Sequence, residues 1–420
     1  MLQIIRRLVK APLLRTSSFL AILSLFSMNS AQASSAALGM GFTGVAYPQD
    51  SQAGLYNPAG MVDVGDRFDV SGLLYHQTGN TEIKGNADPV LNGKWNNSRF
   101  PLLPGGELGI NYMLSDRMSI GVVLGTRAPL IKTTYSSPVF LAGTTRLGAE
   151  LVQLVISPIF SMKLSRCHSI GIGINIGVQR AKVEGFQNFD TPEGSGFPGY
   201  VTNRGYDSSA GVGFSLGWQG ELFEDFTAGL RFDSRTWMTR LKNYEGFSAD
   251  RASLDYPCTI ALGLAYKLLP QCTVAADVNY LFMHEIKAYG NPIYPNILTS
   301  KLGLKNGPGH GFRNIWQFHL GADYAIGCSA VVRAGWMYNK SPVRRSQTLG
   351  NLHTLTIVEN ILTAGGTWKF ARTWEATLGY AHGFHNKVSG RNSISPLQGG
   401  GECILTQQFD VYSLTVGSAF

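Results

Sequence analysis

The stretch IGIGINIGVQ, residues 170–179, alternates without exception between bulky apolar residues and small or polar ones. Side chains of a β-strand point alternately to its two faces. This stretch therefore predicts a strand with one face of isoleucine and valine and another of glycine, asparagine and glutamine. The same two-residue period recurs at residues 210–219, 259–268 and 316–324, which predicts a sheet whose two faces differ strongly in chemistry.

The way residues divide between the two faces separates two classes of β protein. A soluble antiparallel sheet packs its apolar face inside and exposes its polar face, whereas a barrel in a bilayer exposes the apolar face and turns small or polar residues inward. The chain contains 50 glycines, 11% aromatic residues and only 15% charged residues. Trp and Tyr often lie toward the ends of the apolar faces, as the aromatic girdles of a membrane barrel require. These features favour the barrel.

Alternating segments recur through the whole chain after residue 66, and we count fourteen of them. They are separated by short and long connections in turn. An even strand number, with short turns at one end and long loops at the other, is typical of bacterial outer-membrane proteins. We therefore predict an all-β protein: a 14-stranded antiparallel transmembrane β-barrel. The predicted strands are 67–77, 106–115, 118–130, 150–165, 169–185, 207–222, 226–240, 255–268, 272–287, 312–326, 329–341, 359–370, 373–386 and 409–420.

The first 33 residues have the organisation of a secretory signal peptide. Four basic residues and no acidic residue precede the apolar run FLAILSLFSM, residues 19–28, and AQA at 31–33 provides a cleavage site. The apolar run is too short for a spanning helix, the alternative interpretation. We predict export to the outer membrane of a Gram-negative-type cell. No basic run interleaved with aromatic residues is present, so nucleic acid is not an expected partner.

The end of the chain, VYSLTVGSAF, places Phe420 on the outward-facing parity of the fourteenth strand. A final strand that ends in an aromatic residue is the usual signal for the barrel-assembly machinery, which we predict as a partner. The five cysteines are either unpaired or include a Cys272–Cys328 link, since the strands of these two residues are neighbours. The cysteines are Cys167, Cys258, Cys272, Cys328 and Cys403.

Three motifs resemble catalytic or cofactor sites but lack the context that such sites need. GMGFTG, residues 39–44, matches a dinucleotide-binding pattern without a preceding strand. GFSLG, residues 213–217, matches a nucleophile elbow, yet Ser215 falls in the middle of a strand. His382 and His385 have no third metal ligand at suitable spacing. We predict no catalytic residue, no metal site and no cofactor, and therefore a protein that is not an enzyme.

The segment 34–66 is compact, rich in glycine and nearly uncharged. A fourteen-stranded barrel is wide enough to need filling, and this segment is the obvious plug. The sequences LGMGFTGVAYPQDSQAGLYNPAG (38–60), GVQRAKVEGF (177–186), GFRNIWQFHLGADYAI (311–326) and NKSPVRRSQ (339–347), with Phe420, resemble the FadL/TodX-type outer-membrane transporters of long-chain fatty acids and other hydrophobic compounds. The resemblance implies a signal peptide (1–33), an N-terminal hatch (34–66) and a barrel (67–420).

The resemblance also implies a route through the wall of the barrel. Asn57, Pro58 and Ala59 match the family's hatch motif, which lies against an inward kink in the third strand. Here the kink corresponds to Arg127, Ala128 and Pro129. Proline cannot donate to a strand ladder, so the kink would open the wall as a lateral gate. The alternative is that Pro129 only marks the end of a strand at the outer rim.

The carboxylate site of the fatty-acid transporters carries over in part. Arg313 matches one of two basic positions that hold the carboxylate, and Gln317 and His319 share its lumen-facing parity. The other basic position falls on Gly185, which has no charge, and Val183 matches an apolar lining position. Arg313 would alternatively neutralise a lumen carboxylate such as Asp323 or Asp277. The residues that normally precede the hatch and enter the pocket are missing, so gating by such a tail is not assumed.

The predicted function is passive uptake of hydrophobic molecules, with no enzymatic step. Long-chain fatty acids are the first candidate substrate and aromatic hydrocarbons the second, and outer-membrane lipid is the medium into which the substrate leaves. A structural or adhesin barrel, in which the hatch only seals the pore, is the alternative from another class. The plug argues against a general porin.

Overall fold

The computed structural model describes residues 34–97, 102–126 and 131–420. The predicted signal peptide and the predicted lateral gate at 127–129 lie outside these ranges. Fourteen strands of the described chain form one continuous antiparallel sheet. They are β1 Arg67–Lys84, β2 Leu102–Ser115, β3 Met118–Thr126, β4 Arg146–Lys163, β5 His168–Glu184, β6 Asp207–Phe223, β7 Phe226–Asp233, β8 Thr259–Leu269, β9 Cys272–Leu281, β10 Ile315–Ile326, β11 Ala330–Asn339, β12 Asn360–Lys369, β13 Trp374–Gly390 and β14 Glu402–Ala419.

The sheet closes on itself because its first and last strands pair along their whole length. Arg67 lies opposite Ala419, and the ladder continues without a break to Lys84 opposite Glu402. Every other strand pairs with the next strand of the barrel along the chain. Short turns connect the strands at one end and long loops at the other. The predicted 14-stranded antiparallel barrel is confirmed.

Three short strands lie outside the fourteen, and several predicted boundaries shift. Gly93–Asn96, Ile131–Pro138 and Trp237–Met238 extend the sheet toward the loop end. The predicted seventh strand stops at Asp233 and resumes as Trp237–Met238, because residues 234–236 correspond to only two residues of β6, which is a bulge. The Asp255 carboxylate accepts the Met238 N–H of the resumed strand at 2.8 Å. The last strand begins at Glu402, seven residues before the predicted 409.

The two faces of the barrel have the predicted chemistry. Ile172 and Ile174 are 49% and 53% exposed on the outside, whereas Gly173 and Asn175, which alternate with them, are buried inside. Aromatic rings cluster on the outer face near the loop end, where Tyr280 and Trp316 lie 4.5 Å apart between ring centroids. Within the described ranges, no helix has the length and apolar character needed to cross a membrane.

Residues 34–64 fold into a plug of short helical turns that contacts strands on all sides of the lumen. Side chains at the start of the turns cap them: Ser34 Oγ accepts the Ala37 N–H at 3.2 Å and Asp50 Oδ1 accepts the Gln52 N–H at 2.9 Å. The plug is almost completely buried although it has little regular structure. The α-helices are Ser35–Gly39 and Met61–Val64, and the 3-10 helices are Ser51–Leu55 and Pro58–Gly60.

The barrel carries no disulfide among its five cysteines. Cys403 is buried, Cys258 and Cys272 are half-buried, and Cys167 and Cys328 are exposed at the short turns. The Cys272–Cys328 link left open by the sequence is not formed.

The long loops contain further short helical turns. They are Pro89–Leu91, Gln187–Phe189, Lys242–Tyr244, Ala249–Ala252, Met283–Glu285, Lys287–Gly290, Asn296–Leu298, Arg345–Gln347, Leu349–Asn351 and Pro396–Gln398.

The pairing of the described residues changes register beside the start of β4. Thr126 pairs with Leu154 of β4, and pairing with the same strand resumes at Ile131 opposite Leu151. Four residues of the chain thus correspond to two residues of β4. On the other side, β2 pairs with β1 from Leu102 onward but with β3 only from Leu108 onward. The change of register on the β4 side and the start of the β2–β3 ladder at Leu108 thus lie in the same part of the wall.

Candidate ligand-binding site

The hatch is held by polar side chains that the barrel strands turn inward. The Asp277 carboxylate accepts the N–H groups of Gly44 and Val45 at 2.8 and 3.1 Å. The Arg231 guanidinium donates to the carbonyls of Leu55 and Tyr56 at 2.7 and 3.0 Å. Buried backbone groups of an irregular segment need partners, and here the barrel wall supplies them.

The Asn57 side chain is the centre of the predicted hatch motif. Its Nδ2 donates to the carbonyls of Val45 and Trp218 at 2.7 and 3.0 Å, and its Oδ1 accepts the Ala59 N–H at 3.0 Å. One amide thus ties two parts of the hatch to each other and to β6. An asparagine followed by proline suits this position, because proline fixes the first residue of the turn and has no N–H that needs a partner.

Glycines on the inner face of the barrel let the motif approach the wall at backbone distance. A Cβ atom at Gly171 would lie 2.3 Å from the Pro58 carbonyl carbon, and one at Gly217 would lie 2.0 Å from Asn57 Oδ1. A Cβ atom at Gly321 would similarly meet the Met40 carbonyl oxygen at 2.1 Å. The small residues on the inner face of the strands therefore form the surface on which the hatch packs.

The hatch motif contacts two groups of strands among the described residues. Pro58 and Ala59 pack on β5 and β6, whereas their neighbours Leu55 and Met61 reach β3, beside Gly125 and Gly121. The predicted contact between the motif and the gate residues Arg127, Ala128 and Pro129 lies outside the described residues.

A central cavity of about 220 Å³ lies directly above the hatch. Phe42, Val45 and Tyr56 of the hatch form part of its lining, and its walls are mostly apolar. Gln317 and His319 face this cavity, as their parity predicts. His319 Nδ1 is also 2.8 Å from the Gly41 carbonyl oxygen, so this side chain holds the hatch as well. The remaining lining residues are Tyr75, Arg231, Asn279, Leu281, Ile315, Met337, Asn339, Pro342, Leu355, Thr356, Val358, Ile361, Gln407 and Phe409.

Two smaller cavities lie toward the loop end of the barrel, the first among loops and the second partly against β4 and β5. We call the first, of about 70 Å³, the outer chamber, and the second, of about 30 Å³, the inner chamber. Phe247, His310 and His353 line both. The outer chamber is otherwise lined by Phe186, Phe189, Val201, Ser248, Ile293, Ile297, Leu302, Pro308, Gly309 and Gly350, and the inner chamber by Ile131, Ala149, Glu150, Leu151, Ala181, Val183, Leu241, Tyr244, Ala252, Leu254 and Tyr289.

The inner chamber contains Val183, for which the resemblance implied an apolar lining role, and Ile131, where the wall ladder resumes. Sequence reasoning did not identify the two histidines or Phe247. They lie in three separate loops, without the strand alternation that identified the other residues. The sequence signal that could have pointed to the two histidines was the rarity of this residue, with 8 in the chain.

Arg313 lies outside all three cavities. It precedes β10 by two residues and is half-buried, and its Nη2 donates to the Val343 carbonyl at 3.3 Å. Gly185, the other position of the carboxylate site, has φ +86°, and a Cβ atom there would lie 2.6 Å from the Arg146 carbonyl oxygen. A basic side chain is thus excluded sterically at this position.

The described ranges contain no cluster of three or more histidine, cysteine or acidic residues suited to a metal ion. His382, considered at the sequence level, instead lies with its Nδ1 2.8 Å from the Asp410 carboxylate on the outer surface, where Tyr380 donates to the same carboxylate at 2.8 Å. Within the described residues, His382 thus belongs to a hydrogen-bonded polar group on the outer face of the barrel.

A fourteen-stranded barrel with a hatch pinned in its lumen and apolar cavities above that hatch defines a plugged outer-membrane barrel. The family model of outer membrane protein transport proteins (OMPP1/FadL/TodX) matches residues 24–419, and the chain belongs to this family. It is therefore a transport protein of the outer membrane.

Solved structures share the fold at low sequence identity. The toluene transporter TodX of P. putida superposes with a TM-score of 0.68 at 15% identity, covering 91% of this chain and 97% of that one. A FadL homologue of Pseudomonas aeruginosa gives 0.70 at 14% identity, covering 94% and 99%. The toluene transporter TbuX of Ralstonia pickettii gives 0.65 at 14%, covering 92% and 98%. No curated protein matches the chain significantly.

Proposed function

We propose that this barrel takes up small neutral hydrophobic molecules, with single-ring aromatic compounds as the main class, and releases them sideways into the membrane. The observation that carries the proposal is the change of register between Thr126 and Ile131, where four residues of the chain correspond to two of β4, beside the inner chamber. Ile131 belongs to both features: it is the first residue of the resumed ladder and it lines the chamber.

The size and lining of the central cavity support a compact ligand. A cavity of roughly 150 Å³ lined by aliphatic and aromatic side chains is large enough for benzene, and the central cavity has about 220 Å³. Among the solved structures of similar fold, TodX and TbuX are toluene transporters, and CymD, with a TM-score of 0.56 at 15% identity, is a monoaromatic hydrocarbon channel.

The charges around the cavities disfavour a carboxylate. Arg231 lines the central cavity, but it forms an ion pair with Asp233 at 2.9 Å and donates to the hatch carbonyls of Leu55 and Tyr56. Glu150 lines the inner chamber. Together with the position of Arg313 and the steric exclusion at Gly185, this arrangement supports our proposal of aromatic hydrocarbons over long-chain fatty acids, the first candidate from the sequence.

The hatch makes an axial exit costly. A ligand that passed through the lumen would have to displace a segment held by Asp277, Arg231 and Asn57 through hydrogen bonds in the buried interior, and it would then enter water. A sideways exit instead transfers the apolar surface of the ligand directly to lipid, which saves roughly 25 cal/mol for each Å² kept from water.

Uptake by whole cells tests this proposal. In a Gram-negative host that lacks its own transporter of this type, we expect the protein to accelerate entry of labelled toluene by about tenfold more than entry of labelled palmitate, a difference of about 1.4 kcal/mol. Cells with the empty vector provide the background. Faster entry of palmitate would restore the fatty-acid assignment, and entry of neither at normal surface levels would favour the structural or adhesin alternative.

Arg313 provides a second prediction, because the two substrate classes demand opposite results. We expect Arg313→Ala to change the affinity of the purified protein for a fatty acid by less than about twofold, the effect of roughly 0.5 kcal/mol. The physical reason is that Arg313 donates to a backbone carbonyl and faces none of the three cavities. Calorimetric titration with palmitate measures it, with Arg313→Lys as the matched control. A loss of about 10–100-fold, as a bidentate carboxylate anchor would give, would show that Arg313 is the head-group site.

A further inference from the structure

Two buried histidines form the partition between the outer and inner chambers. His310 and His353 are 4% and 5% exposed, and their Nε2 atoms lie 3.1 Å apart, within hydrogen-bond distance. Phe186 and Phe247 each place a ring edge-on to His353, with centroids 5.1 Å away. The pair is therefore enclosed by aromatic rings, and both of its members line both chambers.

The protonation of the pair follows from its contacts. His310 Nδ1 lies 2.7 Å from the Ala288 carbonyl oxygen. A carbonyl only accepts, so His310 Nδ1 carries the proton. Burial lowers the pKa of His310, and burial together with the neighbouring His310 lowers the pKa of His353 well below its usual value, so both rings are neutral near pH 7. A neutral His310 protonated at Nδ1 has Nε2 as an acceptor.

The position of the proton on His353 follows from that of His310. His353 must donate from its own Nε2 to His310 Nε2, because two bare nitrogens at 3.1 Å would repel each other. A neutral ring has one N–H, so His353 Nδ1 is left as an acceptor. This atom is buried and has no hydrogen-bond partner among the described residues. A buried acceptor without a donor is costly, and such atoms in native proteins usually have a partner that completes the site.

We propose that the chambers recognise an aromatic ring that carries one hydrogen-bond donor, as in phenols, with the donor directed at His353 Nδ1. The two chambers have only about 70 and 30 Å³, so the His310–His353 partition must shift to admit such a ring. The proposal rests on the proposed function and narrows its substrate class. A ring hydroxyl supplies the missing proton, and the Phe186 and Phe247 rings provide apolar contact for the ring. A hydrocarbon leaves the acceptor unpaired. A carboxylate meets a second acceptor instead of a donor, in a site that also contains Glu150.

The test compares two ligands of nearly equal shape, p-cresol and p-xylene, in which a hydroxyl replaces a methyl group. Binding of each to the purified full-length barrel in detergent is measured by calorimetry. We expect p-cresol to bind about tenfold more tightly than p-xylene, although p-xylene is the more hydrophobic of the two. The ¹⁵N resonance of His353 Nδ1 should shift on binding of p-cresol, as for an acceptor that gains a hydrogen bond, and should not shift in this way with p-xylene.

Variants separate the acceptor from the apolar surroundings. His353→Leu should reduce the affinity for p-cresol by about tenfold, which is about 1.4 kcal/mol, and leave p-xylene unchanged or tighter. His284→Leu, a loop histidine outside both chambers, is the matched control and should change neither. Equal wild-type affinities, or parallel loss of both ligands in His353→Leu, would overturn the proposal, and the wild-type comparison holds even if the variant fails to fold. Toluene uptake without a preference for p-cresol would refute this inference alone, whereas failure of the uptake assay itself would refute the proposed function.

Discussion

Gly171→Val should expel the hatch from the barrel and convert the plugged protein into an open pore. The substitution introduces a Cβ atom 2.3 Å from the Pro58 carbonyl carbon and 2.5 Å from the Ala59 nitrogen. These are backbone atoms, so no change of side-chain rotamer relieves the clash. Overpacking of a tight interior costs about 1–3 kcal/mol when it can relax, and here relaxation requires the hatch to move away.

The barrel itself should tolerate the change, because valine is a better strand former than glycine. We expect single-channel conductance in planar bilayers to rise by about tenfold or more, toward that of an open barrel, and toluene uptake to lose its saturable component. Gly72→Val is the matched control: Gly72 lies on the outside of β1, and a Cβ atom there has no neighbour within 4 Å. If Gly171→Val leaves the conductance at the wild-type level, the hatch is not held by close packing against β5.

Deletion of Ala128 and Pro129 should abolish uptake without disturbing the rest of the barrel. Thr126 pairs with Leu154 and Ile131 with Leu151, so the chain has two residues more than β4 between these points. Removing two residues equalises the two strands and allows the ladder to run through. A continuous wall of backbone hydrogen bonds offers an apolar ligand no exit.

We expect toluene uptake by cells with this deletion to fall to the background of cells without the protein, at equal surface levels. A matched variant with Ala128→Ser and Pro129→Ser keeps the chain length, and therefore the register mismatch, and should retain most of the uptake. Uptake at the wild-type rate in the deletion variant would mean that the ligand leaves by another path, most directly past the hatch.

The barrel could be predicted from sequence because its signal is local. The alternation within a single strand, as in IGIGINIGVQ, already shows which residues face outward and which face inward. Lipid outside the barrel requires apolar residues, and the hatch inside requires small or polar ones. The predicted strand boundaries are wrong where contacts with distant parts of the chain determine the structure. The seventh strand is interrupted by a bulge at residues 234–236, where Ser234 Oγ accepts the Phe214 N–H of β6 and Asp255, from a later loop, accepts the Met238 N–H. The alternation of residues 226–240 does not contain that information.

The binding site was less predictable for a related reason. Gln317 and His319 lie on a strand, and their parity placed them correctly in the lumen. Arg313 comes from the family resemblance, and it precedes the start of β10, so the strand parity that places Gln317 and His319 does not extend to it. Phe247, His310 and His353 come from three loops, and only the folded chain shows that they meet.

The attachment of the hatch has a consequence for the order of folding. The Thr415 hydroxyl donates to the Ser35 hydroxyl at 2.6 Å, which joins residues 380 positions apart, and Asp277 and Trp218 hold other parts of the same segment. Contacts of such long range carry a large loop-closure cost and form late. We therefore expect the segment 34–64 to complete its contacts only after β14 has joined the sheet. A barrel that closes before that step would be an open pore.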